Sequence, residues 1–514
     1  MESGTVKSER RPPLGRFLSQ LLGDMVQIRP GEERLITGLA LDSREVIPGD
    51  LYFARQGRTH DGCAFIDAAC AAGALAVVAE SGAALPTPIR AHDVPILFVA
   101  DLPACIGRVA HRFYGETCRA LKVIGVTGTN GKTSVAYHVA QAIHDWHPDG
   151  SRLAPCGLIG TLGYGLFDQL DPGPHTTPDA ITMHRVLAEI QERQARVAVI
   201  EVSSHALEQR RVAEVTFHAA VFTNLTRDHL DFHGTMAAYG AAKRRLFETP
   251  ELRYAIVNLD DPFGRQLFQG LPAGVEPIPY SLGGCDRQSA VRGCVIANGS
   301  KGLTIAVDTP WGSGEVETSL IGHFNASNVL AVLATLLATG MPLDAALGRI
   351  GQLAPVPGRM ERFGGKGTQP LVAVDYAHSP AALTAALGAL REQCRGALWC
   401  VFGCGGDRDR GKRPLMGAAV AREADIVVLT DDNPRSEEGH FIIDEMLQGI
   451  PKRGAVMVER DRAHAIRYAV QTARPADGVL IAGKGHEQYQ EINGIRHPFS
   501  DALVVRNALR DRGS

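Results

Sequence analysis

The segment Lys122-Val-Ile-Gly-Val-Thr-Gly-Thr-Asn-Gly-Lys-Thr-Ser134 holds the residues best suited to chemistry in this 514-residue chain. An apolar β-branched run, Val123 to Val126, feeds a Gly-rich loop, and a helix-compatible stretch from Val135 to Ile143 follows. Strand, loop and helix in that order aim backbone N–H groups at a phosphate. The loop runs through Gly128, Thr129, Asn130 and Gly131, and the two glycines let the backbone approach closely. Lys132 supplies a point charge for β- and γ-phosphates, and Thr133, followed by Ser134, can offer its hydroxyl to Mg²⁺. The strict spacing G-x-x-x-x-G-K-[ST] needs glycine at 126, where Val126 stands, and Gly125 is one residue too early. A turn between strand and helix accounts for the glycines but not for Gly-Lys-Thr directly after a buried strand. The reading is a protein that uses ATP or a similar nucleotide.

Other residues could join that chemistry. Glu201 ends the apolar run Val197 to Ile200 and opens Glu201-Val-Ser-Ser-His205. An acidic residue at a strand end beside a phosphate loop can hold Mg²⁺; a solvated loop glutamate is the plain alternative. His229, in Thr223-Asn-Leu-Thr-Arg-Asp-His229, could be a second metal ligand, although a lone histidine is more often satisfied in a core or loop. Lys243 lies in a helical run, Tyr239 to Phe247, and by itself reads as a surface lysine. Gln209 and Arg211 could bind an anionic substrate or be a solvated basic helix end. Cys400 and Cys404 flank Val-Phe-Gly, but no second Cys or His pair completes a metal site.

The elements that must position these groups follow from length and pattern. A chain of 514 residues exceeds one core. With 45% hydrophobic and 21% charged residues the composition is that of a globular protein. The net charge of −3 gives no global attraction for nucleic acid or an anionic membrane. No run of eighteen apolar residues appears, so no transmembrane segment is expected. Met1 to Pro13 is polar and lacks a hydrophobic core, so residues 1–20 are expected to be a flexible tail rather than a signal peptide. Ten cysteines without paired spacing fit a reducing cytoplasm. Residues 21–120 read as a small α/β domain. From 121 to 355 short apolar strands alternate with helices, as in a buried parallel sheet. Pro355-Val-Pro-Gly358 breaks the pattern as a hinge would. From 356 to 514 the alternation resumes, with strands at Leu371 to Val374, Ala397 to Phe402, Ile426 to Leu429 and Val479 to Ile481. Each runs into polar residues: Asp375-Tyr-Ala-His378, Gly405-Gly-Asp-Arg408, Asp431-Asp-Asn-Pro-Arg435 and Gly483-Lys-Gly-His-Glu487. Open parallel sheets bind ligands beyond the carboxyl ends of their strands, so four polar clusters at four strand ends point to one crevice.

Thr127-Gly-Thr-Asn-Gly-Lys-Thr133, Glu201-Val-Ser-Ser-His205, Asp228-His229, Gly322-His-Phe-Asn325, Gly358-Arg-Met-Glu361 and Asp375-Tyr-Ala-His378 together resemble the Mur ligases. These are ATP-dependent amide ligases that build the peptide stem of bacterial peptidoglycan. The resemblance runs in order from about residue 38 to 505. It implies an α/β fold of three domains: a small UDP-sugar-binding domain, a central P-loop ATPase domain with a parallel sheet, and a C-terminal Rossmann-like domain that binds the amino acid. Asp432-Asn-Pro-Arg435, Gly403-Cys-Gly-Gly-Asp-Arg408 and Gly483-Lys-Gly-His-Glu487 resemble the branch that joins 2,6-diaminopimelate to UDP-MurNAc-L-Ala-D-Glu.

The resemblance implies roles residue by residue. Leu41 and Ser43 would lie near uridine, and Arg58-Thr59-His60 near the diphosphate, where the family carries His-Gln-Ala. His175, at a family asparagine, would grip the muramoyl-dipeptide with Thr176, Thr177, Ser203, Gln209 and Arg211. Lys243 matches the family's carboxylated lysine, whose carbamate can coordinate Mg²⁺ alongside Thr133, Glu201 and His229. Asn325, Arg359 and Asp375 would approach ATP. Arg408, Asp432, Asn433, Pro434, Arg435, Gly483 and Glu487 would hold meso-diaminopimelate, Arg435 pairing with the distal carboxylate and Glu487 with the distal ammonium. Ligation with L-lysine, folylpolyglutamate synthesis and a nucleotide-dependent switch without chemistry are the competing expectations.

Overall fold

The computed structural model describes residues 15–57, 61–83, 85, 93–115, 121–146, 155–284, 290–299, 301–451 and 455–512. Arg58, Thr59 and His60 lie outside the described residues. Three sheets organise the chain, one to each Mur-type domain implied above. The first has four parallel strands in chain order, Gly38–Ala40, Asp50–Ala54, Ala76–Glu80 and Ile96–Val99. Residues 16–20 depart from the expected tail, while residues 1–14 lie outside the described residues. Arg16–Phe17 pairs with Leu35–Ile36, and the helix Leu18–Leu22 buries Leu18, Leu21 and Leu22 against this domain. Their i, i+3, i+4 spacing gives an apolar stripe that gains more from burial than from fraying.

The central sheet has eleven strands. Its parallel part runs Cys156–Gly160, Val197–Glu201, Lys122–Thr127, Phe217–Phe222, Tyr254–Asn258, Glu276–Ser281, Val291–Gly299. Hairpins close both edges, Gly163–Leu166 with Gln169–Asp171 on one side and Gly302–Thr309 with Gly312–Thr318 on the other. Along Lys122–Thr127 the side chains alternate between faces. Ile124 and Val126 pack with the helices Lys132–Ile143 and His323–Ala338, while Val123 packs with Ala180–Glu192. The strand order matters more than the count: the phosphate-loop strand lies between Val197–Glu201 and Phe217–Phe222. Residues 201–205 and 223–229 therefore leave the sheet on either side of that loop.

The third sheet reads Glu361–Gly364, Leu371–Asp375, Gly478–Ala482, Leu398–Phe402, Ile426–Leu429, Ala455–Val458, parallel from the second strand onward. Insertion of the late strand Gly478–Ala482 beside Leu371–Asp375 puts the 483–487 loop between the 375–378 and 403–408 loops. All four polar clusters thus share one edge.

No regular element spans the segment between the helix ending at Gly351 and the strand beginning at Glu361. Gly358 there has φ +65°, and a Cβ on it would stand 2.1 Å from the His486 backbone nitrogen. The joint is packed on the third domain, and only glycine fits both the conformation and the space. Gly358→Ala is expected to lower the third domain's stability by about 2 kcal/mol or more. A urea titration of far-UV circular dichroism checks this; an unchanged midpoint would contradict it.

Candidate active site

The phosphate loop is pre-formed around two left-handed glycines. Gly128 has φ +153° and Gly131 φ +84°. A Cβ on Gly128 would meet the Thr223 hydroxyl at 1.9 Å, and one on Gly131 would meet Asn328 Oδ1 at 2.7 Å. The neighbouring strand's exit holds the loop: Asn130 N donates to Asn224 Oδ1 at 2.9 Å, and Thr223 Oγ1 donates to the Asn130 carbonyl at 2.6 Å. Helix Lys132–Ile143 begins at this loop and adds its N-terminal dipole.

Two lysines converge on one carbonyl. Lys132 Nζ donates to the Gly128 and Thr129 carbonyls, both at 2.9 Å, and Lys243 Nζ donates to the Gly128 carbonyl at 2.8 Å. Lys243 is not a surface residue, being only 1% exposed, with Nζ 4.4 Å from the centre of the Tyr239 ring. Burial, then the nearby Lys132 charge, pushes its ammonium well below the ordinary lysine range. Burial does the same, in direction, to Lys132.

Glu201 faces the loop from the adjacent strand and is 2% exposed. Oε2 accepts from Thr133 Oγ1 at 2.8 Å and from Thr161 Oγ1 at 3.2 Å, and Oε1 accepts from Thr161 N at 2.7 Å. Thr133 and Glu201 thus offer adjacent oxygens on one wall, a donor set that suits a hard cation such as Mg²⁺. His229 has φ +54°, and burial lowers its imidazole to about 3, so it is neutral. Its Nε2 lies 3.6 Å from Asp228 Oδ2. Among the described residues no group of three His, Cys, Asp or Glu side chains forms a metal cage by itself. A complete cation site here needs ligand oxygens as well.

Asn130, Gly131, Lys132, Thr133, Thr161, Glu201 and His229 line a cavity of about 600 Å³ between the central and third sheets, while the buried Lys243 sits behind the loop and is not among the lining residues. One wall carries Thr176, Thr177, Ser203, His175 and Arg211. Arg211 is tied down, Nε donating to Gln209 Oε1 and Nη1 to the Thr177 carbonyl, each at 2.9 Å, which differs from a solvated helix end. Thr177 Oγ1 donates to the Glu201 carbonyl at 2.7 Å. The opposite wall brings Arg359, Asp375, Tyr376, His378 and Arg408 from the third domain. Arg359 Nη2 donates to Thr133 Oγ1 at 3.1 Å while its guanidinium stacks 4.3 Å from the Tyr376 ring. Arg359 Nη1 is buried without a hydrogen-bond partner and is a ready donor for an anion. Asp228 holds the walls together, with His378 Nε2 and Lys412 Nζ each at 3.5 Å. The hydrogen bond from His378 and the nearby Lys412 charge overcome burial and hold its carboxyl far below the usual range.

Whole-chain comparisons bear on this geometry. Family models match residues 35–114 (Mur ligase family, catalytic domain), 126–336 (Mur ligase middle domain) and 358–485 (Mur ligase, glutamate ligase domain). The chain belongs to the Mur ligase family. It is thereby an ATP-dependent, amide-forming ligase. It is 49% identical over 498 residues to the UDP-N-acetylmuramoyl-L-alanyl-D-glutamate–2,6-diaminopimelate ligase of Alkalilimnicola ehrlichii, covering 96% of this chain and 98% of that one. With the Pseudomonas aeruginosa protein of the same name it shares 49% identity over 486 residues, 94% of this chain and 97% of the relative. A solved structure of a ligase with that name superposes with TM-score 0.66 at 35% identity, covering 98% and 100% of the two chains.

Within this Mur ligase the expected residues fall into three places. Gly131, Lys132, Thr133, Glu201, His229, Arg359 and Asp375 line the cavity with the Thr176–Arg211 wall. Asn325 does not; its amide donates to the Ile321 carbonyl at 2.8 Å, and Asn328, one turn on, reaches the loop instead. Both oxygens of Asp375 accept backbone N–H groups, from Met360 and Ala377 at 2.7 Å, so it braces the joint after Gly358. Leu41 packs on the N-terminal core, away from the cavity, with Ser43 in the following turn. Thr161, Tyr376 and His378 were not singled out by sequence reasoning. Asn328 could have been, as a polar residue three positions from Asn325 on an apolar helix; Thr161 sits in a hairpin turn with no sequence signal.

The third place is a neighbouring polar cluster. Arg435, at φ +54°, donates from Nη1 to the Gly406 carbonyl at 2.7 Å, with Nε 3.8 Å from Glu491 Oε2. Glu487 Oε2 accepts from Asn433 Nδ2 at 2.9 Å. Tyr376 bridges to the main cavity, its ring 5.5 Å from His486. Beneath, Arg413 is fully buried and binds Glu437, Glu445 and the Gly405 carbonyl. Glu437 in turn accepts from Asp407 N at 2.6 Å, so Arg413 sets the loops that carry Arg408 and Arg435. Cys400 and Cys404 are buried free thiols in this domain.

Arg413→Ala strands two carboxylates and is expected to cost about 3–5 kcal/mol of unfolding free energy at pH 7. Hydrogen bonding from Arg413 holds the Glu437 carboxyl down to about 2, from an ordinary 4.5. The pair's contribution is therefore full above pH 4.5 and is lost as pH falls through about 2. Denaturant titrations of wild type and variant at pH 7 and pH 3 should show the gap narrowing with acid; a gap that is constant or wider would refute the coupling.

Proposed function

We propose that this Mur ligase joins meso-2,6-diaminopimelate to the D-glutamate γ-carboxylate of UDP-N-acetylmuramoyl-L-alanyl-D-glutamate, with ATP as phosphoryl donor, in peptidoglycan precursor synthesis. The observation that carries the reading is the Asn433–Arg435–Glu487 cluster beside the phosphate-loop cavity, in a chain half identical over its length to ligases named for that reaction. The same cluster disfavours lysine and folate substrates, which bring no distal carboxylate to Arg435. Free cysteines among the described residues fit a reducing cytoplasm.

A carboxylate is a poor electrophile. The γ-carboxylate attacks the γ-phosphorus of ATP, the bond to the β-phosphate oxygen breaks, and an acyl phosphate and ADP result. The neutral amine of diaminopimelate attacks the acyl carbon, a tetrahedral intermediate forms, and phosphate leaves as the amide appears. The loop amides, Lys132 and Arg359 stabilise negative charge on the transferring group. The 175–177 wall and Arg211 hold the acceptor, and the third domain covers the cavity and limits hydrolysis of the acyl phosphate. Mg²⁺ bound at Thr133 and Glu201 would neutralise phosphate charge. Lys243 in its neutral form would add CO₂ and release a proton to solvent, leaving a carbamate, an oxygen-bearing anion, beside the loop.

Mass spectrometry of the product from the UDP-dipeptide, ATP, Mg²⁺ and equimolar diaminopimelate and lysine tests the assignment. The diaminopimelate adduct should dominate; equal incorporation would end it. In the same assay Arg435→Ala should lose about 2–5 kcal/mol of amino-acid recognition, read as a raised KM for diaminopimelate.

Lys243→Ala is expected to cut turnover about 10²-fold or more, with partial recovery on adding a short carboxylic acid. Full activity of the variant without the acid would show that no carbamate takes part.

A further inference from the structure

One cation in the amino-acid cluster has no part in the steps above. Lys484 has no exposed side-chain surface. Its Nζ donates to Glu487 Oε2 at 2.8 Å and to Asn433 Oδ1 at 2.9 Å, and lies 5.5 Å from the Tyr489 ring centre. Asn433 Nδ2 donates to the same Glu487 oxygen, and Asn433 Oδ1 also accepts from Glu491 N at 2.9 Å. One oxygen of Glu487 is therefore saturated by protein donors, and Oε1 is left to face a ligand. Lys484 is thus paired with Glu487 and Arg435 stands near Glu491, with Asp432, Arg462 and Arg496 as further charges around them.

We propose that Lys484 is a positioning and specificity-determining residue. It fixes Glu487 and Asn433 and cancels the Glu487 charge, so the site takes an amino acid whose far end is zwitterionic and rejects one whose far end is a bare ammonium. This rests on the substrate assignment made above. A zwitterion adds no net charge to the cluster, its carboxylate meeting Arg435 and its ammonium Glu487. A bare ammonium adds a buried positive charge and competes with Lys484 for a carboxylate already in use. Rejection of a near-miss by an unmatched charge is a repulsive route to selectivity. Lys484 would then act on the diamine that lacks a second carboxylate, while Arg435 acts on the diacid.

The test is kcat and KM for meso-diaminopimelate and for L-lysine, at saturating ATP and UDP-dipeptide, in wild type, Lys484→Met and Lys484→Arg. In Lys484→Met the cluster loses one positive charge and Glu487 loses its cation, so the diaminopimelate-to-lysine ratio of kcat/KM should fall about tenfold or more, through KM. KM for ATP and the UDP-dipeptide should stay within about twofold. Lys484→Arg keeps the charge and should retain the ratio within about threefold, even if turnover drops. An unchanged ratio in a folded Lys484→Met, or both substrates falling together, overturns the inference and reduces Lys484 to a structural role. If Lys484→Met fails to fold, collapse of the ratio in Lys484→Arg overturns it. A wild type that does not prefer diaminopimelate overturns the substrate assignment itself, and this inference with it.

Discussion

The buried carboxylate of Glu201 is the point through which the ligand regions of this enzyme are joined. A carboxylate removed from water is costly unless hydrogen bonds and counter-charge replace its hydration. Here the replacements come from the helix after the phosphate loop (Thr133) and from a hairpin turn (Thr161), while its own backbone carbonyl anchors the acceptor wall through Thr177. The phosphate loop, the Thr161 turn and the Thr177 wall therefore meet at one strand end. That strand end is rigid because it lies beside the phosphate-loop strand within a buried parallel sheet.

The third domain meets this centre through polar contacts rather than an apolar seam. Arg359 reaches Thr133, and Asp228 is held by His378 and Lys412. Arg227 and Asp409 stand 3.9 Å apart beside them. Charge contacts of this kind exchange with water and ligand more readily than packed side chains do. They suit a cleft that must admit three substrates and then exclude solvent. The joint at Gly358, packed on His486, places the nucleotide-facing Arg359 next to the amino-acid loop.

The polar cluster beside the cavity is built from loops of four adjacent strands laced by buried cations. Arg413 sets the loops from below, Lys484 orders Glu487 and Asn433 within them, and Arg435 presents its guanidinium from a left-handed residue. The family match covers 358–485. The lacing explains why this stretch holds so many charged residues with little surface exposure, among them Arg413, Arg462 and Lys484.

Much of this was legible in the amino-acid sequence because it is local. Apolar runs of four to six residues mark the strands, and Gly-Lys-Thr after such a run marks the phosphate loop. The polar clusters at strand ends mark the edge that their loops share, and ordered motifs mark the family. Leu18, Leu21 and Leu22 carried a helical stripe that a polar neighbourhood concealed. What the sequence could not decide is non-local. The burial of Lys243 depends on a helix docking under a loop 115 residues away. The reach of Asn328 in place of Asn325 depends on helix rotation, and Thr161 enters only through a hairpin turn. The balance of Lys484 against Glu487 exists only because the last-made inner strand, Gly478–Ala482, inserts between two earlier ones. Residue type and spacing set which chemistry is available; strand order and burial set which groups share a solvent-poor space, and that sharing fixes their charge and their partners.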